Sequence, residues 1–169
     1  MSKNVTIDET MIGFRGRSKF VFYLPMKPTK WGFKMHCLCD STNGYCWNLI
    51  FDKGKDKEGV KNYTRNLILN LVEGLENSGR MIYMDSWYSS PDLFEELLKK
   101  GILATGIVQP TRKNLPDKSY FEQINNSATT QHLNLITITE KKKKLNFLSS
   151  FYDDEKIEIV KKITPHKSF

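Results

Sequence analysis

The feature that most constrains this chain is a short apolar run, Arg80-Met81-Ile82-Tyr83-Met84-Asp85, lying between two segments of helical periodicity. Bounded by Gly79 and a turn signal, it is too short for a helix and long enough for a buried strand, which ends at Asp85. Upstream, Tyr63, Leu67, Leu71 and Leu75 recur every four residues with Ile68 and Val72 alongside, predicting an amphipathic helix of about four turns. Downstream, Ser89-Ser90-Pro91-Asp92 supplies a capping hydroxyl, a proline at the first helical position and an acid in the first turn. Leu93, Phe94, Leu97 and Leu98 line one face of that second helix, and Lys99-Lys100-Gly101 closes it. Ile102 to Val108 then reads as another strand.

The flanks of this unit are rich in β signals. Asn4 to Ile12 predicts a strand that carries acids where strand statistics disfavour them, so Asp8 asks for a reason. Phe33, Met35, Cys37 and Cys39 alternate, Asp40-Ser41-Thr42-Asn43-Gly44 supplies turn chemistry, and Tyr45 to Phe51 resumes the apolar run: a hairpin with an Asn-Gly turn. Residues 53–59 form a charged loop, and Leu133–Thr139, Leu145–Phe151 and Ile157–Ile163 are weaker strands. The order predicts an α/β fold, a mixed sheet with flanking helices of the kind found in ribonuclease-H-like domains.

With 169 residues, 39% of them hydrophobic, the chain can bury a core, and one domain is the default. A net charge of +7 and a pI near 9.2 point to a polyanionic partner, nucleic acid first. Cys37, Cys39 and Cys46 are odd in number and lack a C-x-x-C spacing, which fits buried thiols in a reducing compartment better than disulfides or zinc. No apolar run approaches the roughly 18 residues of a membrane span, and residues 1–10 lack a secretory layout, so an intracellular, soluble protein without a membrane partner is expected.

Asp8 and Asp85 are far apart in sequence, yet neighbouring strands would bring them to one sheet rim. Two bare carboxylates would repel there unless a hard divalent cation such as Mg²⁺ came between them. Two such ions about 3.5–4 Å apart suit in-line displacement at phosphorus. The same acids also read as an edge-strand acid in water and a turn or capping residue. Between Thr10 and Cys39, Arg15, Arg17, Lys19, Lys27, Lys30 and Lys34 occur without an acid, interleaved with Phe14, Phe20, Phe22, Tyr23, Trp31 and Phe33. That mixture suits a phosphate backbone with stacked bases, or a solvated face over ordinary core aromatics. Trp87 and Tyr88 read as base-stacking or as core, and Lys141–Lys144 as a solvated loop or a localisation tag.

Thr6-Ile7-Asp8-Glu9, Gly13-Phe14-Arg15-Gly16-Arg17, Lys27-Pro28, Lys30-Trp31-Gly32-Phe33-Lys34, Cys39-Asp40 and Asp85-Ser86-Trp87-Tyr88-Ser89-Ser90 together resemble the piggyBac transposase family, as do Gly106, Arg112-Lys113 and Pro116. The resemblance implies a ribonuclease-H-like catalytic core at 1–118 followed by a β-rich insertion-region segment at 119–169. It also implies Mg²⁺ or Mn²⁺ in a two-metal site, with Asp8 and Asp85 as the first two of three aspartate ligands. Arg15, Arg17, Lys19, Lys27, Lys30, Lys34, Trp87, Arg112 and Lys113 would contact DNA. Transposon ends, TTAA targets, a homodimer and the nucleus follow from the same likeness.

The family's third aspartate follows a Gly-Gly-Val segment that does not occur before Phe169, and Asp117, Asp153 and Asp154 stand in other contexts. Ile107 and Gln109 replace a threonine and a basic residue of the family pattern. The expectation is therefore a C-terminally incomplete fragment, with little or no strand cleavage on its own. The alternative is a transposase-derived DNA-binding protein without catalysis.

Overall fold

The computed structural model describes residues 1–54, 62–115, 127–129, 133–140 and 143–151. In chain order the elements are β1 (Asn4–Gly13), β2 (Phe22–Tyr23), β3 (Trp31–Asp40), β4 (Cys46–Phe51), α1 (Tyr63–Leu71), β5 (Met81–Met84), α2 (Pro91–Lys99), β6 (Leu103–Ile107), β7 (Ser127–Thr129), β8 (Asn134–Glu140) and β9 (Lys143–Ser149). They build one sheet in the order β2-β3-β1-β5-β6-β9-β8-β7, with β4 also pairing β3. β1 runs antiparallel to β3 and parallel to β5, β5 runs parallel to β6, and β6 runs antiparallel to β9. This is the mixed α/β sheet with flanking helices that the order of signals predicts.

Period-two alternation decides which sheet face is covered. Val5 and Ile7 of β1, Leu38 of β3, Ile82 and Met84 of β5 and Ala104 of β6 are buried, and they share one core with Leu67, Ile68 and Leu71 of α1 and Leu93, Phe94 and Leu97 of α2. Fully burying a side chain of this size contributes about 1.5–3 kcal/mol, so these residues dominate the local energetics. The intervening residues of β1, β3 and β5 face the other way, where Tyr83 and Leu49 are exposed. The thiols lie on that face too. Cys37 and Cys39 are half-buried and Cys46 is exposed, so the expectation of buried cysteines is corrected; all three are free.

Three local readings also change. The first helix ends at Leu71 instead of running to Leu75, because the chain turns at Val72 and enters the left-handed region at Gly74 (φ 82°); Val72 and Leu75 stay buried beyond it. The expected hairpin forms, with Asn43-Gly44 lying in a loop longer than a two-residue turn. Gly44 alone takes a left-handed φ of 73°, and Asp40 closes a wider loop, its N–H donating to Tyr45 O at 2.8 Å and its O accepting from Gly44 N at 2.9 Å. The Asp40 carboxylate accepts from Thr42 N at 2.8 Å and from Ser2 N. Ser90 stands at the cap of α2 in extended backbone without a side-chain cap bond, and Pro91 starts the helix. The strand expected at Ile157–Ile163 lies outside the described residues, as do Lys141 and Lys142.

Two predictions follow from these contacts. A Cβ on Gly106 would come within 2.4 Å of both Met84 O and Ser89 Oγ. Gly106→Ala should therefore destabilise the fold by about 1–3 kcal/mol in denaturant unfolding, since backbone must move to admit the methyl. The hydrogen bonds from Ser2 N and Thr42 N hold the Asp40 carboxyl down to about 2. A depressed carboxyl favours the folded state above its unfolded pKa of roughly 4, and that contribution disappears as pH falls through the folded value. Asp40→Asn should accordingly flatten the acid limb of stability between about pH 4 and pH 2.

Candidate active site

The β1–β5 ladder runs through Asn4↔Met81, Val5↔Ile82 and Thr6↔Tyr83 and ends at Ile7↔Met84. The next residues along the two strands are Asp8 and Asp85, so the two acids leave adjacent parallel strands, about 4.8 Å apart, at the same level. Both are exposed. β1 lies between β3 and β5, which removes the edge-strand reading of Asp8. The turn reading of Asp85 holds together with the site reading. Its Oδ1 accepts from Trp87 N at 2.8 Å and Tyr88 N at 3.4 Å, and its main-chain O accepts from Ser89 N and Ser89 Oγ.

Partial burial raises the Asp8 carboxyl above the usual range and outweighs the Glu9 N–H that donates to it at 2.8 Å; the adjoining Glu9 carboxylate adds to the rise. Burial would raise Glu9 as well, but Lys27 Nζ at 2.8 Å from Oε1 prevails and holds it low. Lys27 is itself raised by its hydrogen bond to Glu9, with Asp8 and Asp85 contributing through space. One ammonium thus stands over the acidic cluster.

The turn after Asp85 is gripped from outside by Arg112, whose Nη2 donates to Ser86 O at 3.0 Å and Trp87 O at 2.8 Å. Lys113 is exposed. Trp87 is 40% exposed, but it stacks on His36 at 5.5 Å between centroids with a 6° interplanar angle, and Lys34 Nζ lies 5.1 Å from its ring centre. His36 is fully buried, with Nδ1 2.7 Å from Tyr88 Oη and Nε2 3.3 Å from Asp52 Oδ2. Lys34 also pairs with Asp52, at 3.7 Å. Sequence reasoning missed His36 and Asp52; a histidine one residue from a cysteine was the only mark.

The cations of the Arg15 to Lys34 stretch do not share one surface. Arg15 and Arg17, with Phe14, Gly16, Ser18, Val21 and Trp31, line an open groove of about 710 Å³. A second hollow of about 590 Å³ shares Arg15 and Trp31 and adds Lys30. Lys27 and Lys34 face the carboxylates and the Trp87 ring instead, and Lys19 lies 5.0 Å over the Phe20 ring. The aromatics divide likewise. Phe14, Phe33, Phe51 and Phe20 form a chain of ring contacts at 4.7 to 5.7 Å, stacked at Phe14–Phe33, tilted at Phe33–Phe51 and edge-to-face at Phe51–Phe20, whereas Tyr23 and Trp31, 4.5 Å apart, are exposed.

Among the described residues no group of three or more His, Cys, Asp or Glu side chains is placed to hold a metal ion, and Asp117, Asp153 and Asp154 lie outside those residues. Asp8 and Asp85 nevertheless suit a hydrated divalent cation in donor type: two hard carboxylates at one level. If Lys27 offsets their charge in its absence, Lys27→Ala should move the Glu9 and Asp8 titrations to higher pH, because losing a cation disfavours the ionised form. Carboxyl ¹³C shifts followed against pH would check this; unchanged curves would refute it.

The chain can be set beside known proteins on this geometry. A solved structure described as a cryo-EM structure of piggyBac transposase synaptic complex with hairpin DNA matches it with a TM-score of 0.81 and 27% identity, over 94% of this chain and 35% of that one. The chain thus spans about a third of the length of the transposase it resembles. The Transposase IS4 family pattern matches residues 1–166, and the chain therefore belongs to the piggyBac-type transposases of that family.

Proposed function

We propose that this chain is a catalytic-core segment of a transposase that binds DNA along the groove of Arg15, Arg17 and Lys30 and holds divalent metal between Asp8 and Asp85. The observation that supports the reading is the Ile7↔Met84 register, after which Asp8 and Asp85 are the next residues on two adjacent parallel strands. The strand order, three antiparallel strands β4-β3-β1 followed by parallel β5 and β6, supports a ribonuclease-H-like core. Mg²⁺ or Mn²⁺ bound there would activate an attacking oxygen and stabilise the leaving one at phosphorus. The chain's own residues supply the rest. Asp8 and Asp85 orient the ion, Arg15, Arg17 and Lys30 hold phosphates, and Tyr23 and Trp31 offer faces to an unpaired base.

The finer parts of the proposal are transposon ends joined at TTAA targets in the nucleus, a core at 1–118 followed by an insertion-region segment, and a homodimer. With two carboxylates and no third anchor among the described residues, cleavage by these 169 residues alone is expected to be slight, since small displacements of a reacting group can cost about 10²-fold. DNA binding without catalysis is the second reading, favoured by the groove cations standing apart from the acids.

Titrating duplex binding against salt tests the groove. Neutralised phosphates make log K fall with log salt, and Arg15→Ala with Arg17→Ala should lessen the slope by about 2. A flat salt response in the parent chain would dismiss the groove. Mn²⁺ line broadening lost in Asp85→Asn is the expected mark of the carboxylate pair; broadening that ignores both Asp8→Asn and Asp85→Asn would dismiss that site.

A further inference from the structure

A fully buried histidine between a tyrosine and an aspartate, directly beneath the turn that carries Asp85, has no part in the reading above. We propose that His36 is a positioning residue for Asp85, acting through Tyr88 and Trp87; this rests on the reading of Asp8 and Asp85 as the metal-holding pair.

The chemistry of the partners fixes the proton positions. Asp52 lies under His36 Nε2 and, as a carboxylate, can only accept, so Nε2 carries the hydrogen. Nδ1 then has its lone pair free and accepts from the Tyr88 hydroxyl at 2.7 Å. Asp52 is anchored in turn: its N–H donates to Lys34 O at 2.9 Å, and its Oδ1 accepts from Gly54 N at 2.9 Å. The sequence of bonds runs from the end of β4, through the imidazole on β3, to the phenol of Tyr88.

Two links carry this order to Asp85. The Tyr88 ring, 1% exposed, is held at its hydroxyl end, and its own N–H is one of the two amides that bind Asp85 Oδ1. Trp87, whose N–H is the other, stacks flat on the imidazole. Without these supports the ring of Tyr88 and the plane of Trp87 lose their reference to the sheet, and the Asp85 carboxylate loses its fixed direction. The arrangement resembles the way an aspartate fixes a histidine tautomer so that the opposite ring nitrogen addresses a hydroxyl. Here the hydroxyl is the support of a ligand's turn.

Amide hydrogen exchange by NMR on the full chain reads the proposal without any metal or DNA. Tyr88→Phe removes only the bond to Nδ1 and keeps the ring, so the Trp87 and Tyr88 amides should exchange on the order of tenfold faster while strand amides such as Leu38 stay protected. His36→Leu should do the same, and His36→Asn, which keeps an acceptor near the Nδ1 position, should restore slow exchange. Unchanged exchange at Trp87 and Tyr88 in Tyr88→Phe would overturn the proposal. So would a uniform rise across the strands, the mark of a merely structural role. Mn²⁺ alone, added to the parent chain, separates the two readings: absence of broadening at Asp8 and Asp85 would overturn the metal pair, whereas the exchange result decides the role of His36 by itself.

Discussion

The parallel ladder between β1 and β5 is the constraint on which the molecule depends. It makes the sheet mixed, because β1 is already antiparallel to β3, and it seats Val5 and Ile7 beside Ile82 and Met84 over the helices. A slip of one residue would turn every one of those side chains to the other face. The same slip would separate Asp8 from Asp85. Burial of four apolar residues thus sets the level of two acids that contribute nothing to the core, and stability and site geometry rest on one register.

Around that register the acidic cluster is balanced by groups of different kinds. Lys27 supplies charge from the loop before β3, main-chain amides supply hydrogen bonds to Asp85, and Arg112 holds the outer carbonyls of the same turn. A carboxylate whose one oxygen is committed to two amides keeps its direction, while Asp8 is tied by one amide, and burial and the neighbouring Glu9 raise its carboxyl above the usual range. The two acids are alike in type and unlike in support.

Much of the fold could be read from the residues because its elements are punctuated. β5 ends at an acid followed by Ser-Ser-Pro, and α2 is closed by Gly101; the alternation of Phe33, Met35, Cys37 and Cys39 marks β3 as a strand, although that set faces away from the core and His36 and Leu38 lie inside. Where local pattern and long-range packing part company, the reading falters. The apolar spacing of α1 continues to Leu75 because that residue joins the core, yet the helix has already ended. Asn43-Gly44 looks like a complete turn, but the Asp40 carboxylate organises a wider one. Asp8 and Asp85 stood out as acids at strand positions. His36 and Asp52 did not, and Tyr88 read only as base-stacking or core, since the meeting of the three depends on the β3–β4 pairing and on the approach of the turn before α2, neither of which leaves a local mark.

The segment joining β2 to β3 carries a double duty that bears on how such chains can diverge. Surface connections ordinarily accept insertions with little penalty. This one presents Lys27 to the acids from its middle and Lys30 to the groove from its end, only three positions apart. Lengthening or shortening it would throw one of the two ammonium groups out of place whichever side absorbed the change. Its length is therefore held as tightly as that of an inner strand, and variation among related chains should accumulate in the identity of its residues while their number stays constant.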